Sequence, residues 1–473
     1  MSTPAANQID EDHLRASLED AGQGHLLPAM DRLSGPDRAQ LMGQLAAIDL
    51  ELVRHLATLI GAPSFDPSTA KFEPAEVFPL DRNQDQQTLA AEAAQIGAQR
   101  LADGRVAFLL VAGGQASRLG YDGPKGAFPI GPVTSRLLFE YHARRILASA
   151  KRHGFQPHFC VMTSPGNDAA TRSCFTEHQH FGLSPDNVTF FSQDMLPALD
   201  TEGRILLAGP AQVFLAPNGH GGVLDALRRS GSLSKLRQAG FETISYFQVD
   251  NPLAPPADPL FLGLHAKSSS EMSTKVVSKR DAGEKVGVIG RVDGAIGCIE
   301  YSDLPPSLRE AQDSGGRLMY RAGNIAIHAI ELEFVDRLTE GGLQLPWHVA
   351  RKKMKAIGSD GSEAMVDGVK FETFVFDALG RATSSVTLEV DRAREFSPVK
   401  NKAGDDSPET TRRDLASLSA RMLIDAGFDV PPDGPEGYPK VEVDPLLAET
   451  EEELRNAGTP RIESSEAGQL YTV

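Results

Sequence analysis

The chain has 473 residues, 64 acidic against 47 basic, and a formal net charge of −17 with histidine neutral. Such a surface repels nucleic acid and anionic membranes, which argues against polyanion binding but leaves room for a local basic pocket around a small phosphorylated ligand. With 41% hydrophobic residues and three scattered cysteines (Cys160, Cys174, Cys298), it can bury a large core in two or three domains without a disulfide framework or zinc site.

The first residues, "MSTPAANQIDEDH", carry no basic or apolar signal region, and no stretch reaches the roughly 18 apolar residues of a membrane span. A soluble cytoplasmic protein is expected. Residues 10 to 100 read as helical, with apolar residues at i, i+3, i+4 in 10–27, 35–60 and 84–104. The Pro-rich residues 61–80 between the last two read as an extended connection.

From Val106 short apolar runs alternate with amphipathic segments: "VAFLLV", a helix over 135–154, "HFCVMTS", a helix over 168–182, "VTFFSQ", a helix over 222–240 and "TISYFQVD". This rhythm predicts an α/β fold, a mainly parallel sheet with helices on both faces. Strands are expected at 273–279, 285–294 and 295–301, then a helix over 328–342. The last ninety residues are Pro- and acid-rich, with a charged helix over 405–427 and little sign of a large core.

In an open parallel sheet ligands sit where loops leave the carboxyl ends of the strands. The run "VAFLLVAGGQASRLGYDGPKGAFPIG" ends its strand there, on Gly113-Gly114, followed by Arg118 and Lys125. Glycines let backbone N–H groups approach a ligand closely, and the two cations suit phosphates. It is neither a Walker A loop, since Lys125 is followed by Gly126, nor a GxGxxG dinucleotide loop.

The spacing GG-x3-R-x-G-x4-PKG resembles the signature of the UDP-sugar pyrophosphorylases, most closely the UDP-N-acetylhexosamine branch. Further blocks carry the resemblance along most of the chain: "LSPDNVTFFSQDMLPAL", "PNGHGG", "YFQVDNPL", "KVGVIGRVDG", "YRAGNIAIH", "FETFVFDAL" and "EFSPVKN". The resemblance implies a Rossmann-like (GT-A-like) nucleotidyltransferase with a mixed sheet, divided into an N-terminal helical region (1–100), a catalytic domain (101–395) and a small C-terminal domain (396–473). It implies attack by a sugar-1-phosphate on the α-phosphorus of UTP with release of pyrophosphate, a reaction that needs alignment and charge neutralisation rather than a covalent nucleophile.

Site residues follow by the same resemblance. Arg118, Lys125, Asp250 and Lys400 are the catalytic candidates, with Asp250 holding Mg²⁺ (or Mn²⁺), a hard cation that takes oxygen ligands. Val111, Ala112, Gly113, Gly114, Gln193, Gly219 and Lys370 join Lys125 and Asp250 around the nucleotide, Gln193 on the uracil edge. His220, Gly287, Glu300, Tyr301, Asn324 and Lys400 are expected at the sugar and its phosphate. On their residues alone, Asp250 reads as the cap of an Asp-Asn-Pro turn, Gln193 as a loop residue and the two late lysines as solvated.

Two positions depart from the family pattern. Ala116-Ser117 stands where Gly-Thr is usual, and Gly219-His220-Gly221-Gly222 replaces the "GNGG" of the hexosamine branch. Gly-His-Gly resembles instead the UDP-glucose and broad UDP-sugar enzymes, so the sugar is open between N-acetylglucosamine and glucose. A sugar-nucleotide sensor that kept the fold without the chemistry is the reading of another class; the presence of Lys125, Asp250 and Lys400 weighs against it. Oligomeric state is left open.

Overall fold

The computed structural model describes residues 10–62, 69–301, 303–358 and 361–472. The N-terminal residues 1–9, read above for a targeting signal, and residues 63–68 of the Pro-rich connection lie outside them. The chain forms two units, Met1–Asp66 with Asp194–Gly222 and Leu345–Val375, and Pro67–Gln193 with Val223–Gln344 and Phe376–Val473. Among the described residues no helix is long and apolar enough to cross a membrane.

In the smaller unit lie helices Glu11–Asp20, Leu27–Arg32, Gly35–Ala46 and Leu50–Ile60; the first and the last two fall inside the ranges that the apolar spacing predicts, and Leu27–Arg32 lies almost wholly outside them. Asp10 and Asp49 cap the first and last by accepting from His13 N and from Glu51 and Leu52 N. Their buried faces (Leu18, Leu41, Leu56) share a core with Leu199, Val369 and Phe371 of a five-stranded sheet. That sheet is built on the antiparallel pair His348–Ile357 and Glu363–Glu372.

The larger unit holds the ten-stranded mixed sheet. Strands Val188–Ser192, Phe159–Thr163, Val106–Val111 and Thr243–Gln248 lie side by side in that order and run parallel. Of these four, Val106–Val111 comes first in the chain and has the second and third on one side and the fourth on the other. The strand order reverses between Val106–Val111 and Thr243–Gln248, the place where such sheets open a crevice. Ala322–Glu331 adds antiparallel to Thr243–Gln248, followed by Val288–Val292, its hairpin partner Ala295–Ile299, and Phe72–Pro74. Met272–Ser278 also pairs with Ala322–Glu331 and runs parallel to Thr387–Glu389.

Two differences from the sequence reading have physical causes. The helix expected from His328 begins at Leu332, and His328–Glu331 stays in the strand opposite Thr243–Tyr246. A strand buried on both faces reads as an unbroken apolar run, which periodicity cannot separate from a buried helix. The C-terminal residues also join the main core instead of lacking one. Helix Pro408–Asp425 contributes Leu415, Leu418, Met422 and Leu423, and the strands Val441–Val443 and Gly468–Thr472 add Val441, Val443 and Tyr471. The carboxylate of Glu442 fastens this end: it accepts from Val133 N, Thr134 N, Thr134 Oγ1, Tyr141 Oη and Arg136 Nη1 at 2.7–3.1 Å.

Helices Gln84–Ala102 and Pro259–Lys267 cross with backbone almost touching backbone, through Gly97 and Gly263. A Cβ on Gly263 would stand 1.6 Å from the Ala93 carbonyl oxygen, and one on Gly97 1.9 Å from that of Pro259. Gly263→Ala is expected to destabilise the chain by about 1–3 kcal/mol in guanidinium unfolding, because the helices must move apart. Gly43→Ala, in a helix with open space around it, is expected to raise stability by about 0.5–1 kcal/mol.

Candidate active site

At the crevice, strand Val106–Val111 passes into Ala112-Gly113-Gly114, whose carbonyl oxygens are all engaged from the neighbouring connection. Asn167 Nδ2 donates to Ala112 O (2.9 Å) and Gly114 O (3.2 Å), and Ser164 Oγ donates to Gly113 O (2.8 Å). Asn167 Oδ1 accepts from Ser164 N at 2.8 Å, which fixes the brace itself. The peptide oxygens that would repel a phosphate are thus already bonded. A Cβ on Gly113 would lie 2.6 Å from Gln193 Nε2, whereas Gly114 faces open space. Gln193 is buried at the end of strand Val188–Ser192, its N–H bonded to Thr163 O. Val111, Ala112, Gly113, Gly114 and Gln193 are therefore one surface, the glycine present because the amide lies against it.

Lys125 opens the short 3₁₀ turn Lys125–Ala127, and its N–H returns to Gly114 O at 3.1 Å. A Cβ on Gly126 would fall 2.1 Å from the Phe139 ring, so only glycine lets the turn lie flat on that helix. From there Lys125 Nζ reaches Asp250 Oδ2 at 3.2 Å. Burial pushes the Asp250 carboxyl up, but Lys125 and then Lys400 outweigh it, and its pKa falls below the ordinary carboxylate range. His142, beneath the same turn, donates Nε2–H to Val249 O; burial lowers its pKa to about 4, so it is neutral at pH 7. Lys400 is delivered by a segment tied to the carboxylate's own turn: Val399 N donates to Asp250 O (2.8 Å) and Ser397 N to Asn251 Oδ1 (3.1 Å). Arg118 sits exposed on the turn Ser117–Leu119.

A second group gathers on the antiparallel side of the same sheet. Asn324 N donates to Gly287 O at 2.8 Å, and Asn324 Oδ1 accepts from Ala326 N at 3.0 Å, steadying a kink where Ala326 has φ +55°. A Cβ on Gly287 would meet Cys298 Sγ at 2.6 Å and Glu300 Oε1 at 3.7 Å. Asn324 Nδ2 lies 3.7 Å from that sulfur, and burial followed by the Glu300 charge pushes the Cys298 thiol well up, keeping it protonated. Gly287, Glu300 and Asn324 thus surround Cys298, while Tyr301 projects outward.

Gly219, His220 and Lys370 belong to the smaller unit. Gly219 has φ +84°, and a Cβ there would stand 2.3 Å from Thr373 O. His220 Nδ1 accepts from Val375 N (3.2 Å), which puts the ring proton on Nε2, and its ring stacks on Phe374 at 5.2 Å. Lys370 lies on strand Glu363–Glu372 with Nζ 5.3 Å from the centre of the Phe214 ring.

Among the described residues no three His, Cys, Asp or Glu side chains converge on a metal position. A single ionised, oxygen-donating carboxylate fits a divalent cation only where phosphates and water complete its shell, the habit of Mg²⁺. Sequence reasoning missed Ser164, Asn167, His142 and Cys298. For Ser164 and Asn167 the one visible signal is the Ser-Pro-Gly-Asn run after an apolar strand, and for His142 and Cys298 there is none.

The sequence model of a protein family described as UTP–glucose-1-phosphate uridylyltransferase matches residues 67–416. A probable UDP-N-acetylglucosamine pyrophosphorylase of Dictyostelium discoideum is 32% identical over 465 residues, covering 94% of each chain. The UDP-N-acetylglucosamine pyrophosphorylase of Saccharomyces cerevisiae is 34% identical over 431 residues, 86% of this chain and 90% of the yeast one. Among solved structures, the uridine diphosphate N-acetylglucosamine pyrophosphorylase of Trypanosoma brucei, in complex with an inhibitor, superposes with a TM-score of 0.82 at 29% identity, covering 96% of this chain and 95% of that one.

The Lys125–Asp250 pair has a stability consequence. A carboxyl depressed in the folded state stabilises above its unfolded pKa of about 4 and loses that contribution as pH falls through the folded value. Lys125→Met removes the nearer cation, so the depression shrinks. The acid-unfolding midpoint, followed by circular dichroism, is expected to move to higher pH; an unchanged midpoint would mean the pair adds nothing.

Proposed function

The chain belongs to the UTP–glucose-1-phosphate uridylyltransferase family of UDP-sugar pyrophosphorylases, and we propose that it makes UDP-N-acetylglucosamine from UTP and N-acetylglucosamine-1-phosphate in the cytoplasm. As a sugar-1-phosphate uridylyltransferase it joins a phosphate oxygen of the sugar-1-phosphate to the α-phosphorus of UTP, breaking the bond to the bridging oxygen so that pyrophosphate leaves. The nucleophile is already an anion, so no base is needed, in keeping with a neutral His142 under the site.

The observation that carries this reading is the meeting of Lys125 and Asp250 at 3.2 Å beside an open Gly114. Lys125 holds the UTP phosphates and Arg118 the departing pyrophosphate. Gln193, on Gly113, reads the uracil edge with its paired donor and acceptor. Lys400 meets the phosphate of the sugar, while Gly287, Glu300, Tyr301 and Asn324 meet its hydroxyls. Asp250 would hold Mg²⁺, which when bound neutralises phosphate charge as the bond to the α-phosphorus changes.

Glucose-1-phosphate is the second reading, supported by His220. With Nδ1 committed to Val375 N, the imidazole keeps its proton on Nε2 and has no acceptor to spare, whereas the asparagine of the hexosamine branch carries both a donor and an acceptor.

Pyrophosphate release from UTP and Mg²⁺, with the two sugar phosphates side by side, tests the assignment. N-acetylglucosamine-1-phosphate is expected to give the higher kcat/KM, and Lys125→Ala is expected to lower it about 10²–10³-fold. Preference for glucose-1-phosphate that reverses in His220→Asn would transfer the assignment to the second reading. Binding of UDP-sugars without turnover of either substrate would leave a sensor.

A further inference from the structure

Lys275 is fully buried in the middle of strand Met272–Ser278, and the proposed chemistry gives it no part. An ammonium out of water is costly unless closely paired, and an apolar side chain of the same length would fill the space at no such cost. Its partners are two carboxylates from distant parts of the chain. Asp258 Oδ2 lies 2.6 Å from Nζ and Glu395 Oε2 2.7 Å, with the Phe261 ring centre at 5.5 Å. Burial pulls the Lys275 pKa down, but Asp258 and Glu395 outweigh it and the ammonium stays charged.

Each partner is fixed at its other end. Asp258 Oδ1 caps helix Pro259–Lys267, accepting from Leu260 N (2.9 Å) and Phe261 N (3.3 Å) and leaving Oδ2 for the lysine. Glu395 ends the helical turn Arg392–Glu395, and its carbonyl oxygen accepts from Asn251 Nδ2 at 2.7 Å. From that residue the chain runs back along the Asp250 turn through Ser397 N on Asn251 Oδ1 and Val399 N on Asp250 O, and then presents Lys400. Seen from Lys275, the path to Lys400 is one ion pair and five residues of backbone, hydrogen-bonded to the Asp250-Asn251 turn at three points.

We propose that Lys275 is a positioning residue for the uridylyl transfer: by gripping Glu395 against the capped end of helix Pro259–Lys267, it sets the segment 395–400 along the Asp250-Asn251 turn and with it the position of Lys400. This rests on the reading that Lys400 meets the phosphate of the sugar substrate. A misplacement of about 1 Å at a group that orients a reactant can cost about 100-fold in rate. Lys275 itself touches neither substrate.

The test is a mutant cycle on the full chain, read by pyrophosphate release with separate kcat and KM for UTP and for the sugar-1-phosphate. Lys275→Met is expected to lower kcat about 100-fold and to raise KM for the sugar phosphate while leaving KM for UTP near its original value. Glu395→Gln, which keeps the shape and one hydrogen bond, is expected to lose about tenfold in the same pattern. In a Lys400→Ala background both substitutions are expected to cost less than about threefold more, because the group they place is gone. If Lys275→Met fails to fold, the cycle of Glu395→Gln with Lys400→Ala decides. Full multiplicative losses in the Lys400→Ala background, or an original kcat with only a lower melting temperature, would overturn the positioning role. Undiminished activity in Lys400→Ala alone would instead remove Lys400 from the site and take the proposal with it.

Discussion

The structure turns on one electrostatic constraint: a carboxylate at the end of a central parallel strand must stay ionised though almost out of water. Asp250 is 9% exposed, and burial alone would drive it towards its neutral acid. Lys125 and Lys400 prevent that, and each needs a particular backbone to do so. Lys125 comes from a turn pressed onto Phe139 at a glycine, and Lys400 from a segment bonded to the Asp250 turn. The arrangement also runs in reverse. Lys125 Nζ lies 3.2 Å from Asp250 and Lys400 adds its charge from farther away, so the carboxylate offsets part of the positive charge that both bring. A chain of net charge −17 thus keeps these cations local, within a surface that repels longer polyanions.

Elsewhere buried charge serves as a fastener between distant segments. Lys275 joins residues 258 and 395, and Arg136 joins Glu442 of the C-terminal sheet and Asp444 just beyond its strand at 3.1 and 2.6 Å. Such contacts add little net stability over a well-packed apolar pair, but losing one partner strands a charge in the interior. What they supply is register, because an ion pair with directed hydrogen bonds tolerates far less sliding than leucine against leucine.

How much of this the sequence displays depends on whether the deciding contact is local. Strands such as Val106–Val111 and Thr243–Gln248 carry their period and their ends on their face, and the loop between Gly113 and Lys125 has a spacing specific enough to be recognised. Strand His348–Ile357 does not, because its outward Arg351, Lys352, Lys353 and Lys355 hide the alternation that buries Met354 and Ala356. Asn167 and Lys275 are hard to read for a different reason. The partners lie far along the chain, 55 residues away for Asn167 and Ala112 and 120 for Lys275 and Glu395, and a lone lysine in a β-rich run carries no mark of a buried pair. Gly126 was read as part of a motif, but the ring that requires it, Phe139, becomes its neighbour only after folding.

The smaller unit draws its sheet from two stretches that follow the N-terminal helices by well over a hundred residues, the last ending at Val375. Leu18, Leu41 and Leu56 therefore leave the ribosome long before Leu199, Val369 and Phe371, the side chains that cover them. At about 5–20 residues per second, translation from the first helices to Phe371 takes roughly 15–70 s. For that interval the amphipathic helices have no finished core to join and must be sheltered by chaperones or by transient contacts of their own. The larger unit, interrupted in turn by those same stretches, closes only when the C-terminal strands arrive. The order in which this chain is synthesised is thus not the order in which its two cores can close.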